Sequence, residues 1–180
     1  MTTDGGKQES TYGFLSIVEI DQLGYCGGLL VLTSRGRPVE FHCTAPVAAN
    51  RAQQILYGQT LKEFVCCDQI GVSLMQKVKL PPDVALVDEK CFLSLADLLQ
   101  MPVAAVINDE ATNDNDREHA AAAESHVGNV LEIDEQRFEV RGGECDEVER
   151  LISQFVHCLP AAEPFERIRL AISEAHAKAA

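Results

Sequence analysis

The sequence predicts an α/β (or α+β) protein built on a mixed sheet, and three observations support this prediction. Apolar runs of strand length come first and are joined by short turns, which predicts a three-stranded antiparallel meander. Helical patterns and two further buried strands follow, and a helical connection between strands predicts parallel pairing. A small hairpin-and-two-helix unit ends the chain.

The meander is predicted from residues 14–44. Residues 14–20 and 28–33 are apolar on both faces, as expected of buried central strands. The glycine-rich stretch 24–28 is interpreted as a turn whose glycines let a ligand approach the backbone. Pro38 begins the third strand, where a missing N–H matters least. Its alternate residues are predicted to belong to the core: Val39, Phe41 and Cys43.

Helices are predicted from capping signals that follow the meander. Asn50 with Gln53 forms a capping box, which starts a helix over 51–57 that Gly58 ends. Thr60 with a glutamate three residues later predicts a second helix, reaching residue 79. Buried strands are predicted at 84–87 and 103–107, on either side of a short helical segment at 93–99.

The composition divides the chain into four parts. Residues 1–11 are predicted to be a flexible tail, and residues 12–107 an α/β core domain. Residues 108–125 contain many acidic and no large apolar side chains, which predicts a disordered acidic linker over residues 108–127. Residues 128–180 are predicted to form a hairpin with a four-residue loop and two helices. Because about 50 residues make a marginal core, we expect this unit to dock on the core domain.

The negative charge lies mainly in the second half of the chain. The net charge is −13, and 46% of the residues are hydrophobic. Residues 1–107 contain 8 Lys and Arg against 11 Asp and Glu, whereas residues 108–180 contain 7 against 17. An acidic half repels phosphate groups and suits a basic surface, so a protein partner is expected and nucleic acid is predicted to be an improbable partner.

No apolar run approaches the ~20 residues that a membrane helix needs. The first ten residues lack the apolar stretch of a signal peptide. The sequence therefore predicts a cytoplasmic protein with no membrane partner.

Seven cysteines occur at irregular spacing, and without a secretory signal they are predicted to be reduced thiols. Cys26, with His42 on a nearby strand, is a candidate nucleophile or metal ligand. However, His42 and Cys43 alternate faces of their strand, and zinc sites favour wider spacings. A cysteine-dependent or metal-binding function is the third hypothesis, and no metal site is predicted.

The carboxylates Asp21, Glu63 and Asp88 are the candidate catalytic residues. Asp21 follows the first predicted strand, Asp88 follows the fourth, and Glu63 lies on the helix between them. This β-β-β-α-β-α-β order over residues 13–107 resembles the ribonuclease H-like topology. The resemblance implies carboxylates that hold two divalent ions for phosphodiester cleavage. In that superfamily the first carboxylate usually lies inside the first strand, whereas Asp21 lies at its exit.

The candidate binding residues are basic. A hairpin tip and a helix start carry the clustered positive charge of the chain, which could receive an anion: Arg35, Arg37, His42 and Arg51. No dinucleotide-binding, phosphate-loop, hydrolase or zinc-protease motif occurs, so no cofactor is predicted.

Three functions remain open on this evidence. The leading hypothesis is a non-enzymatic binding or protein-interaction module whose acidic half meets a partner. The second is a divalent-metal-dependent phosphodiesterase or nuclease of ribonuclease H-like topology. The cysteine-dependent hypothesis is the third.

Overall fold

The computed structural model describes residues 9–107 and 129–177. Within these residues a seven-stranded mixed sheet carries helices on both faces. The strands are β1 (Thr11–Ile20), β2 (Gly24–Thr33), β3 (Pro38–Cys43), β4 (Val84–Val87), β5 (Val103–Ile107), β6 (Asn129–Ile133) and β7 (Gln136–Arg141). The α-helices are α1 (Arg51–Tyr57), α2 (Leu61–Glu63), α3 (Val72–Met75), α4 (Leu95–Leu99), α5 (Cys145–Val156) and α6 (Glu163–Ala177). Between them lie 3₁₀-helices at Gly58–Thr60 and Lys90–Ser94 and a π-helix at Phe64–Gly71.

The strand order is β3-β2-β1-β4-β5-β7-β6. β1, β2 and β3 form an antiparallel meander, and β1–β4 and β4–β5 pair in parallel. The predicted fold class is therefore confirmed. The predicted linker 108–127 and residues 1–8 of the predicted tail lie outside the described residues, and Thr11 already begins β1.

The β6–β7 hairpin belongs to the same sheet as the meander, because β7 pairs with β5 in antiparallel fashion. Its loop is shorter than the predicted four residues. Ile133 pairs with Gln136, so only Asp134 and Glu135 turn the chain, at φ values of 48° and 65°. Two successive residues with positive φ form the tight hairpin turn whose twist matches that of the flanking strands.

The helix predictions are confirmed in part. The Asn50–Gln53 capping box forms, with the Asn50 side chain accepting from the Gln53 backbone N–H at 2.9 Å. The second predicted box does not form, because the Thr60 hydroxyl donates instead to the Tyr57 carbonyl at 2.9 Å. The helical segment that follows widens into the π-helix and ends at Met75, before the predicted residue 79.

β3 lies at the edge of the sheet, and this position overturns the prediction that Val39, Phe41 and Cys43 are core residues. Val39 is 42% exposed, Phe41 is 39% exposed and Cys43 is also exposed. Alternation of apolar side chains marks one face of a strand, but an edge strand gains a core face only where a helical layer covers it. The opposite face of β3 is the more buried one and carries Glu40 and His42.

Two helical layers enclose the sheet. On one face α5 and α6 bring Phe155 and Phe165 against Phe14 of β1, with ring centroids 5.0 and 5.5 Å apart. The other face is covered by the helical segments between residues 58 and 99, through fully buried side chains such as Ile70 and Leu74. None of the helices described by the structure is long and apolar enough to cross a membrane.

Residues 24–28 are part of β2 and not the predicted turn. Here glycine makes room for helices, not for a ligand. A Cβ atom on Gly27 would lie 2.1 Å from Ile70 Cγ2, and one on Gly28 would lie 2.5 Å from Ile168 Cγ2. The two adjacent glycines face opposite sides of the sheet, so each lets one helical layer pack close to β2.

We expect Gly28→Ala to lower the free energy of unfolding by roughly 1–3 kcal/mol, because the added methyl group overpacks the contact with α6. The measurement is urea denaturation of a double-mutant cycle with Ile168→Ala. Since Ile168→Ala removes the clashing methyl group, the double variant should be less destabilised than the sum of the single variants. Additive effects would contradict the close approach.

Candidate functional site

Asp88 lies at the centre of the sheet, directly after β4. Leu15 of β1 pairs with Val87 of β4, so the next residues, Ser16 and Asp88, lie side by side. The chain leaves β1 toward β2 and leaves β4 toward β5, on opposite sides of this point. In open α/β sheets ligands bind outside the carboxyl ends of the strands where the strand order reverses in this way. Asp88 therefore occupies the position at which the fold favours a site.

Ser16 and Arg169 hold the Asp88 carboxylate. The Ser16 hydroxyl donates to Asp88 Oδ2 at 2.5 Å, and Arg169 of α6 donates from Nη2 to the same oxygen at 2.7 Å. Ser16 is fully buried, and the Asp88 side chain is only 9% exposed, whereas the Arg169 side chain is 49% exposed. Asp88 Oδ1 is buried and has no hydrogen-bond partner among the described residues.

Burial raises the pKa of the Asp88 carboxyl group above its ordinary value, because water no longer solvates the charged form. The hydrogen bond from Ser16 and the charge of Arg169 act in the opposite direction and offset only part of this effect. The carboxyl group is therefore held at a cost in stability, which is typical of functional positions.

The structure does not bring the three candidate carboxylates together. Asp21 lies in the exposed turn after β1, five residues and about 16 Å of strand beyond Ser16. Glu63 lies in the helical layer on the other face of the sheet, where it accepts a hydrogen bond from Ser94. At the position inside β1 that faces Asp88, the chain carries the hydroxyl of Ser16.

A two-ion centre does not fit these residues. Such a centre needs several carboxylates around shared ions. Of the three candidate carboxylates only Asp88 lies here, and its Oδ2 atom is already bonded to Ser16 and Arg169. No group of three or more His, Cys, Asp or Glu side chains within residues 9–107 and 129–177 is arranged to hold a metal ion.

The candidate binding residues are spread along the sheet. Arg35 and Arg37 are exposed residues in and beside the β2–β3 turn, whereas Arg51 starts α1 beyond the other end of β3. His42 pairs with Glu40 through Nε2 and Oε2 at 2.9 Å. Glu40 also accepts from the backbone N–H groups of residues 79 and 80, which ties that loop to β3. The four residues thus do not form one cluster.

Cys26 has a nearby histidine, but its thiol is fully buried. Its Sγ atom donates to the Thr44 carbonyl at 2.8 Å and lies 3.2 Å from His176 Nε2. Burial raises the pKa of the Cys26 thiol, and the Thr44 contact offsets this in part. Reactive cysteines have lowered pKa values and accessible sulfur atoms. This environment is that of a structural cysteine, and the neighbouring histidine is on α6 and not on β3.

Sequence patterns did not reveal Ser16 and Arg169. Ser16 gives a weak signal, since it is a small polar residue within the buried run of β1. Arg169 gives none, because an arginine on an amphipathic helix usually extends into solvent. Only the tertiary packing of α6 against β1 and β2 brings it to Asp88.

No protein-family model matches the chain, and no curated protein matches it in sequence. Solved structures match it in fold. A protein of unknown function from Archaeoglobus fulgidus DSM 4304 has a TM-score of 0.64 at 14% identity, covering 93% of this chain and 98% of that one. The catalytic domain of human endonuclease V has a TM-score of 0.60 at 15% identity, covering 96% and 85%. Endonuclease V of Ciona intestinalis, in complex with DNA that contains an inosine followed by a ribo-adenosine, has a TM-score of 0.52 at 13% identity, covering 93% and 87%.

These likenesses establish the fold and correct one prediction. The chain has a fold similar to that of the endonuclease V catalytic domain, which favours the second hypothesis over the leading one. The prediction that nucleic acid is an improbable partner is wrong, because a protein of this fold forms a complex with DNA. The physical reason is that net charge is a property of the whole chain, whereas phosphate groups are bound by local cations. Despite the net negative charge, Arg169 supplies a local positive charge at the end of β4.

The raised pKa of Asp88 gives a prediction for stability against pH. Folding favours the protonated form, so the contribution of Asp88 to stability falls as pH rises from about 4, the unfolded value, through the folded pKa. Asp88→Asn removes this titration. The stability of Asp88→Asn relative to the wild type should therefore increase with pH from about 4 and then level off.

Urea denaturation at a series of pH values measures this difference, and Asp21→Asn reports the effect of removing one exposed negative charge alone. A difference between Asp88→Asn and the wild type that falls with rising pH would contradict the burial cost at Asp88.

Proposed function

We propose that this protein binds nucleic acid at the carboxyl end of β4, beside the middle of β1, through a site centred on Asp88 and Arg169. The observation that carries the proposal is this pair, in which a half-exposed guanidinium is held over the point where the strand order reverses. Similarity in fold to endonuclease V, including a complex with inosine-containing DNA, supports the choice of nucleic acid as the ligand.

Arg169 is suited to contact a phosphate group. A guanidinium stays charged at all physiological pH values and carries five N–H donors in a plane. The bond to Asp88 orients this plane without using all five donors. On the same helix, Ile168 and Ile172 pack against Gly28, so the backbone that carries Arg169 is fixed in place. An oriented cation loses less entropy on binding than a free side chain does.

Binding, and not cleavage, is the activity that the described residues support best. Phosphodiester cleavage by two ions needs converging carboxylates. Here the residue of β1 beside Asp88 is Ser16, and the cation at the carboxylate is a side chain of the protein itself.

A second candidate is a divalent-metal-dependent phosphodiesterase that uses Asp88. The observation that favours it is the buried Oδ1 atom of Asp88, which lacks a hydrogen-bond donor. This candidate predicts strand breaks in Mg²⁺ that Asp88→Asn abolishes, whereas intact DNA in Mg²⁺ and Mn²⁺ would exclude it.

Gel-shift titration at low salt tests the proposed binding. The probe is a DNA duplex with one inosine followed by a ribo-adenosine, and the comparison duplex carries adenosine in place of inosine. We expect the wild type to bind in EDTA, and Arg169→Ala to lower the affinity about tenfold or more, as loss of a charge-assisted hydrogen bond to phosphate does.

Arg35→Ala is the comparison variant for Arg169→Ala. It removes an exposed arginine from the β2–β3 turn, away from Asp88. Loss of binding in Arg35→Ala with unchanged binding in Arg169→Ala would place the contact at that turn and contradict the proposal. Absence of binding by the wild type at low salt would contradict it as well.

A further inference from the structure

Arg169 meets the Asp88 carboxylate at one oxygen only. Arginine–carboxylate pairs are frequently bidentate, with two parallel hydrogen bonds to the two oxygens. Here Arg169 and Ser16 both donate to Oδ2, and Oδ1 has no donor among the described residues. The guanidinium therefore acts on the carboxylate as a single positive charge placed at one oxygen.

The Arg169 guanidinium lies beside the carboxylate at which a ribonuclease H-like protein is expected to hold a divalent ion. A ribonuclease H-like topology implies divalent ions beside carboxylates at the central strands, yet the residues present do not form a two-ion centre. The Asp88 side chain at this position is 9% exposed, and its charged form is costly there unless a cation is near. Arg169 is the cation that the structure places there.

We propose that the Arg169 guanidinium is a built-in cation, which takes the position of a divalent ion at Asp88 and makes the site independent of metal. The proposal deepens the proposed function and rests on it for the statement that the site meets phosphate groups. The position of the cation itself rests on the contacts of Asp88 alone, so it can be tested without nucleic acid.

The burial of the carboxylate, and not the hydrogen-bond pattern, separates this contact from an ion pair within one helix. Arg167, two residues earlier, also bonds one carboxylate oxygen, Glu163 Oε1 at 2.8 Å, and Glu163 Oε2 has no donor among the described residues. However, the Glu163 side chain is 37% exposed and lies four positions before Arg167 on the same helix. Arg169 instead joins α6 to the end of β4 and faces a buried carboxylate. Replacing its charge by a carboxylate should consequently create a place for an external cation.

Thermal unfolding of Arg169→Asp and Arg169→Asn tests the proposal. The two variants differ by one charge at nearly constant shape. In EDTA, Arg169→Asp should unfold at the lower temperature, because two carboxylates then face each other. Addition of MnCl₂ should raise the midpoint of Arg169→Asp by about 2–4 °C more than that of Arg169→Asn, since the ion binds the folded state. The double variant Asp88→Asn/Arg169→Asp should lose this extra response.

Arg169→Ala provides a second measurement if Arg169→Asp does not fold. Methylguanidinium chloride should raise the unfolding midpoint of Arg169→Ala relative to that of Asp88→Asn/Arg169→Ala, because only the first variant keeps an unpaired buried carboxylate. Equal responses to MnCl₂ in Arg169→Asp and Arg169→Asn, or equal responses to methylguanidinium in the second pair, would overturn the proposal. Neither readout involves DNA, so a failure here is distinct from a failure to bind nucleic acid.

Discussion

The close approach of α6 to β2 at Gly28 is the contact on which the site depends. With any side chain at this position, a methyl group would lie 2.5 Å from Ile168 and the helix would have to move outward. Arg169 follows Ile168 directly, so the height of the helix above the sheet sets the distance between its guanidinium and Asp88. The packing of Ile168 on Gly28 thus controls the ion pair between Arg169 and Asp88 at the end of β4.

The electrostatics around Asp88, at the end of β4, follow from its burial. Asp88 is placed by β4 in a nearly dry position, where its charge is costly unless a cation is near. Ser16 and Arg169 offset part of that cost at one oxygen and leave the other without a donor. The fold is similar to that of endonuclease V, but no group of three or more potential ligands among the described residues is arranged to hold a metal ion, and Arg169 contacts Asp88 directly.

The sequence predicted the fold better than the site. Buried strands and the Asn50 cap were readable because apolar runs and capping residues are local signals. The prediction that Val39 and Phe41 are core residues was wrong, because alternation does not show whether a helical layer covers a strand. The prediction of a turn at the glycines of β2 was wrong as well, because the helices that pack on them lie far along the chain. Asp88 was predicted as a candidate because it directly follows a buried strand. Its partners Ser16 and Arg169 were not predicted, since the three residues meet only through β1–β4 pairing and the packing of α6.

The most direct test of the central claim is a nuclear magnetic resonance titration of ¹⁵N-labelled protein with inosine-containing DNA in EDTA, observing the arginine Nε–H resonances. The account predicts that the Arg169 resonance shifts with DNA concentration, while those of Arg35 and Arg37 at the opposite end of the sheet stay in place. Shifts at Arg35 and Arg37 with an unchanged Arg169 resonance, or shifts at Arg169 that require Mg²⁺, would contradict it.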